Sequence, residues 1–82
     1  MYNIIFSPVA KKQFDKLDSS VKERIANSLD RIKINPKSYL TKLVGDDGYK
    51  FRVGDYRLII DLEQKNLLII VIKVGHRKNI YE

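Results

Sequence analysis

The chain has 82 residues, no cysteine and one histidine, and 44% of its residues are hydrophobic while 32% are charged. This composition predicts one folded domain over residues 1–82 and excludes disulfides, iron–sulfur clusters and a Cys/His zinc site. The longest apolar run, residues 67–72, is too short to span a bilayer, and no secretory signal precedes it, so we expect a cytoplasmic protein. The net charge of +6 is typical of a small domain that binds a polyanion.

The first 35 residues predict a strand followed by two helices. Residues 2–6 are apolar and partly β-branched, as in a strand. Ser7 is suited to cap the first helix, because its hydroxyl can accept from a free amide and Pro8 needs no partner at the first helical position. Ser20 and Glu23 fit a capping box for the second helix. The apolar positions of that helix recur at helical spacing, at Val21, Ile25, Leu29 and Ile32.

The rest of the chain predicts a loop over residues 36–48 and then three strands. Residues 49–53 and 56–62 alternate in polarity, and Gly54-Asp55 between them supplies a two-residue turn. Residues 67–74 are apolar at nearly every position, which predicts a central strand covered on both faces. The order β-α-α-β-β-β indicates an α+β fold in which a two-helix hairpin packs on one face of a small, mainly antiparallel sheet.

The turn also fixes which side chains share a face of the sheet. With Gly54 and Asp55 as loop residues, Arg52 lies opposite Arg57, and alternation places Lys50 on the same face. Opposed like charges cost about 0.2–1 kcal/mol, so a sequence selected only for folding would avoid them. A face with three cations is typical of phosphate binding, since the arginine fork matches phosphate. A solvated sheet face is the structural alternative.

The segment after the apolar strand adds four side chains of interest: His76, Arg77, Lys78 and Tyr81. The strand that precedes them is expected beside residues 56–62, so its end should come near Arg57. The alternative is a basic, solvated terminus in which Tyr81 covers the core.

Residues 42–81 resemble the RelE toxins of the RelE/ParE toxin–antitoxin superfamily. The motifs, in order, are KL-x-G, YKFRVGDYR, VGHR and a closing IY. The resemblance implies the RelE/ParE fold and a type II toxin that cuts mRNA in the ribosomal A site as a metal-independent endoribonuclease, without a cofactor. A ParE-like, non-catalytic inhibitor of DNA gyrase is the alternative, and a basic RNA-binding domain that has lost toxicity is a third. The sheet-face cations favour the endoribonuclease.

The resemblance implies catalytic roles at Lys50, Arg52, Arg57, Arg77 and Tyr81. It implies RNA binding by Lys50, Arg52 and Lys78. The best-known relatives carry a lysine at the position of Arg52. The arginine keeps the positive charge, but it effectively cannot lose a proton.

The roles that the resemblance implies fit the chemistry of phosphodiester cleavage. The 2′-hydroxyl of the RNA would be the nucleophile, and Arg57 would stabilise the charge of the phosphorane. Lys50 or Tyr81 would accept the 2′-hydroxyl proton, and the residues do not decide between them. Arg77 would neutralise the leaving 5′-oxygen, with His76 as a possible auxiliary.

The resemblance also implies protein partners. We expect an acidic, partly disordered, RelB-like antitoxin that folds on the toxin in a hetero-oligomeric complex. The ribosome and mRNA are the expected targets, and a membrane is not.

Overall fold

The structure is a computed structural model that describes residues 1–76. These residues form two α-helices and five strands. In chain order they are β1 (Asn3–Phe6), α1 (Pro8–Asp15), α2 (Ser19–Ile32), β2 (Thr41–Lys42), β3 (Tyr49–Val53), β4 (Tyr56–Glu63) and β5 (Leu68–His76). A 3₁₀ turn, Pro36–Ser38, lies between α2 and β2. Within residues 1–76, neither helix has the length and apolar character that crossing a membrane requires.

The strands form a mixed sheet in the order β1-β5-β4-β3-β2. β1 runs parallel to β5, and the other neighbouring strands are antiparallel. The predicted α+β fold with a helical hairpin is therefore confirmed. The structure adds β2, which the sequence placed in a loop, because two residues are too few to show an alternating pattern.

Both helices pack on one side of the sheet, which we call the inner face, and the opposite side is the outer face. The core between the helices and the inner face consists of Ala10, Ile25, Leu29, Ile32, Val53, Leu58, Ile60, Ile69, Val71 and Val74. β5 is central, as predicted, but the prediction that both its faces are covered is wrong within residues 1–76. Ile69 and Val71 are fully buried on the inner face, whereas Leu68 and Ile70 on the outer face are only half-buried.

The two helices begin in different ways. The Ser7 hydroxyl accepts a hydrogen bond from the Ala10 amide at 3.0 Å, which confirms the predicted cap of α1. The predicted capping box of α2 is wrong, because the helix already begins at Ser19. Its N-cap is Asp18, a residue with extended backbone whose side chain makes no capping hydrogen bond. The backbone carbonyl of Asp18 accepts a hydrogen bond from the backbone amide of Lys22. Ser20 is therefore inside the helix.

β5 contains a β-bulge near its centre. Ile60 pairs with Val71 and Ile59 pairs with Lys73, so Ile72 is an extra residue on this strand. β1 ends beside Val71, and side chains of α1 then bind the β5 backbone. The Ser7 hydroxyl donates to the carbonyl of Ile72 at 2.9 Å, and Oε1 of Gln13 accepts from the Val74 amide at 2.7 Å. Beyond the end of β1, side chains at α1 therefore supply hydrogen bonds to the β5 backbone in place of a neighbouring strand.

We expect Ser7→Ala to lower the free energy of unfolding by about 2 kcal/mol, since it removes both the helix cap and the bond to the bulge. Asp18→Ala is the matched control, because Asp18 is also an N-cap but makes no side-chain capping bond. We expect it to cost about 0.5 kcal/mol or less. Urea denaturation measures both, and equal losses would contradict the double role of Ser7.

Candidate phosphate-binding site

Three cationic side chains lie together on the outer face. Arg52 pairs directly with Arg57 across the β3–β4 hairpin, as the sequence predicts. Lys50 lies two residues before Arg52, on the same face, and pairs with Ile59. Lys50 and Arg57 are half-buried and Arg52 is exposed. The sheet thus presents three fixed positive charges from two adjacent strands.

These cations line a surface pocket of about 300 Å³. Its lining consists of Tyr39, Thr41, Lys50, Phe51, Arg52 and Arg57. The sequence analysis did not assign Tyr39, Thr41 or Phe51 to this site. Tyr39 is 50% exposed, so its ring is accessible beside the charged groups. The pocket combines an aromatic ring, a hydroxyl and cations, which together suit a nucleotide better than a free anion.

The segment after α2 carries Tyr39 and Thr41 to the pocket. Pro36 is fully buried, and its carbonyl accepts from the amides of Tyr39 at 3.0 Å and Leu40 at 3.1 Å. Leu40 packs against the core, and Thr41 then pairs with Lys50 across β2 and β3. The buried Pro36 before Tyr39 and the half-buried Leu40 after it therefore hold this edge of the pocket.

The β3–β4 turn fixes the two arginines opposite each other. Gly54 has φ +59°, a left-handed conformation that favours glycine. A Cβ at this position would also meet the Arg24 guanidinium at 3.0 Å. Arg52 donates a long hydrogen bond of 3.4 Å from Nε to the Gly54 carbonyl. Most other residues would strain the backbone of this turn, which sets the register that pairs Arg52 with Arg57.

Within residues 1–76, neither Lys50 nor Arg52 forms an ion pair, and Asp61 on the same face lies four residues beyond Arg57. Lys42 behaves differently, since its ammonium donates to two loop carbonyls and lies 5.1 Å from the Tyr49 ring centroid. The described part of the chain also holds no cluster of three His, Cys, Asp or Glu side chains that would bind a metal ion.

The end of β5 comes beside Arg57, as predicted. Gly75 pairs with Arg57, and His76 pairs with Tyr56. The His76 ring contacts the Tyr56 ring edge-on, with centroids 5.6 Å apart. Tyr56 also pairs with the buried Val53, so this row belongs to the inner face. The structure therefore does not bring His76 together with the three outer-face cations. The other predicted residues of this segment, Arg77, Lys78 and Tyr81, lie outside the described residues.

Comparison with known proteins identifies relatives along almost the whole chain. Residues 4–81 match the family model of the ParE toxin of the type II toxin–antitoxin system parDE. The mRNA interferase toxin RelE of Escherichia coli K12 is 31% identical over 80 residues, which cover 94% of this chain and 84% of that protein.

Solved structures agree with this match. The isolated E. coli RelE toxin has a TM-score of 0.81 and 30% identity, covering 93% of this chain and 84% of that one. RelE in the intact E. coli RelBE toxin–antitoxin complex has a TM-score of 0.80 and 30% identity, covering 93% of this chain and 96% of that one.

Proposed function

Because the chain belongs to the RelE/ParE superfamily of type II toxin–antitoxin toxins, we propose that it is a ribosome-dependent endoribonuclease that cleaves mRNA in the A site. The observation that carries this proposal is the pocket on the outer face, where Lys50, Arg52 and Arg57 converge. A toxin that acts only by binding another protein has no need for opposed arginines that cost about 0.2–1 kcal/mol. Relatives that carry the mRNA interferase name support the same activity.

The chemistry that suits this lining is attack by the 2′-hydroxyl of the RNA on the adjacent phosphorus. The bond from phosphorus to the 5′-oxygen then breaks, which leaves a 2′,3′-cyclic phosphate and a 5′-hydroxyl end. The phosphorane carries more negative charge than the ground state, so fixed cations stabilise it selectively. We assign this role to Arg57, with Arg52 assisting, and the reaction requires no metal ion.

Two proton transfers complete the reaction. The 2′-hydroxyl proton passes to Lys50, which lines the pocket and can accept it only as the neutral amine, or to the phenolate form of Tyr81. The leaving 5′-oxygen takes a proton from solvent water, and Arg77 neutralises its developing charge. We assign Lys78 to RNA binding. We give His76 no direct part, because its paired row lies on the inner face.

The need for the ribosome follows from the weakness of this acid–base machinery. A catalyst that relies on charge stabilisation gains most from a substrate already held in line for attack. The A site would supply that geometry, so we expect little cleavage of free RNA. Action on translating ribosomes also places the protein in the cytoplasm.

We further propose an acidic antitoxin as the partner. The solved relative in the RelBE complex is bound by its antitoxin, and this chain carries a net charge of +6. An acidic segment that covers the outer face would neutralise the cations and close the pocket to RNA.

The direct test is primer extension on mRNA programmed into translating ribosomes, with purified protein and a naked-RNA control. We expect a cut inside the A-site codon only when ribosomes are present. Absence of a cut with folded, ribosome-bound protein would overturn the proposal. A DNA gyrase supercoiling assay would then test the ParE-like alternative, a non-catalytic toxin.

The aromatic side of the pocket gives a separate prediction. We expect Tyr39→Ala to weaken RNA binding on the ribosome by about 1–3 kcal/mol, the usual contribution of one base stacked on an aromatic side chain. Tyr39→Phe keeps the ring and should retain affinity close to that of the unmodified protein. The measurement is the KM for cleavage of programmed ribosomes. Equal losses in the two variants would assign the effect to the hydroxyl and contradict stacking.

A further inference from the structure

We propose that Lys73 is a further RNA-binding residue, which contacts a phosphate neighbouring the one held by Lys50, Arg52 and Arg57. This inference rests on the proposed function. The sequence analysis did not single out Lys73, because it lies inside an otherwise apolar strand. The register of the sheet, together with the bulge in β5, is what connects it to the pocket.

Lys73 belongs to a row of paired residues that crosses the outer face. Thr41 pairs with Lys50, Lys50 with Ile59, and Ile59 with Lys73. Neighbouring strands are about 4.8 Å apart, so Lys73 lies about 10 Å from Lys50 along this row. This separation, with Ile59 between the two lysines, suits two successive phosphates of an extended strand.

The bulge decides the face on which Lys73 lies. Ile69 and Val71 are buried on the inner face, and strict alternation from them would direct residues 73 and 75 into the core. The extra residue, Ile72, reverses the alternation, so that Lys73 pairs with Ile59 on the outer face and Val74 is buried instead. β-Bulges commonly redirect side chains beside active sites.

The same reversal opens the space between Lys73 and the arginines. Gly75, the next outer-face position on β5, pairs with Arg57 and has no side chain to fill the adjoining surface. A polyanion crossing from Arg57 toward Lys73 therefore meets no bulky group from β5 at this row. Lys73 is exposed, and within residues 1–76 it forms no ion pair.

Two polar side chains of α1 hold this arrangement in place. The Ser7 hydroxyl binds the carbonyl of Ile72 and the Gln13 side chain accepts from the amide of Val74, one on each side of Lys73. Both contacts join residues more than 60 positions apart in the chain. Hydrogen bonds from Ser7 and Gln13 thus hold the backbone on both sides of Lys73, which fixes the point from which its side chain extends.

The test measures cleavage of programmed ribosomes as a function of salt concentration for Lys73→Ala and Lys73→Glu. We expect Lys73→Ala to raise KM about 3–10-fold with kcat nearly unchanged, because binding is weakened equally in the ground and transition states. Loss of one phosphate contact on a single strand should also reduce the slope of log affinity against log salt by about 0.7. Lys73→Glu should raise KM further.

Lys65→Ala and Lys65→Glu are the matched controls, since Lys65 is an exposed lysine in the β4–β5 turn, far from the pocket. They change the net charge by the same amounts and should leave KM and the salt slope unchanged. If both lysines behave alike while the unmodified protein cleaves, the role of Lys73 is overturned and the proposed function stands. If the unmodified protein does not cleave, the proposed function is overturned, and this inference with it.

Discussion

Arg57→Ala is expected to lower the rate of mRNA cleavage on programmed ribosomes about 10²–10³-fold, the usual cost of removing one group that stabilises transition-state charge. Arg57 lines the pocket, is half-buried, and faces Arg52 across the hairpin. The loss should appear mainly in kcat, because the charge that it stabilises is greatest in the phosphorane. Single-turnover cleavage with excess protein measures the chemical step directly.

Two further variants make this result specific. Arg57→Lys keeps the charge but loses the bidentate fork, so its rate should fall between those of the unmodified protein and the alanine variant. Arg31→Ala removes an arginine from the exposed surface of α2 and should cleave at the normal rate. Circular dichroism checks that all three remain folded. A folded Arg57→Ala protein that retains more than a third of the normal rate would contradict the role of Arg57.

Leu58→Ala is expected to destabilise the protein by about 2–5 kcal/mol, because it opens a cavity in a packed core. Leu58 is fully buried on β4, directly after Arg57 in the chain. A chain of 82 residues has a total stability of about 4–12 kcal/mol, so this one change removes a large part of it. The midpoint of thermal unfolding should fall by about 10–25 °C.

Val44→Ala is the control for this prediction, since Val44 is 101% exposed and its side chain contributes no buried surface. Its midpoint should change by no more than a few degrees. Calorimetry or thermal circular dichroism provides the comparison. A Leu58→Ala midpoint close to that of Val44→Ala would show that the core near the hairpin relaxes enough to refill the cavity.

The features that the sequence predicted correctly depend on neighbours within a few residues. The Ser7 cap involves an amide three positions away, and the Gly54 turn pairs Arg52 with Arg57 through one short loop. Alternation then places Lys50 beside them without knowledge of the rest of the molecule. The shared face of Lys50, Arg52 and Arg57 could therefore be predicted from the turn and the alternation of the strands.

The prediction failed where two local choices were nearly equal. Asp18 and Ser20 are both good N-cap residues, and the capping-box pattern with Glu23 favoured Ser20. The structure begins α2 at Ser19, two residues before the start that a Ser20 cap predicts, so Asp18 is the cap although its side chain makes no capping bond. Ile25, Leu29 and Ile32, whose apolar spacing the sequence did predict, are buried in the core.

Tertiary structure alone decided the edge of the pocket. Thr41 reaches Lys50 only because β2 pairs with β3 across the intervening loop, and Tyr39 is held there by the buried Pro36. A two-residue strand has no sequence signature, since its pairing energy comes from a partner and not from its own pattern. The aromatic side of the pocket was for this reason invisible in the sequence.

The bulge in β5 shows the same division most clearly. The apolar run of residues 67–72 predicted an interior strand, and β5 lies between β1 and β4 in the sheet. Which of its side chains face outward depends on the bulge at Ile72, where Ser7 and Gln13 bind the Ile72 carbonyl and the Val74 amide across more than 60 residues. One inserted residue reverses every later position, so Lys73 joins the outer face and His76 leaves it. Side chains alternate between the two faces in any strand, which is a local property. Which of the two sets faces the core depends on the elements that the strand packs against.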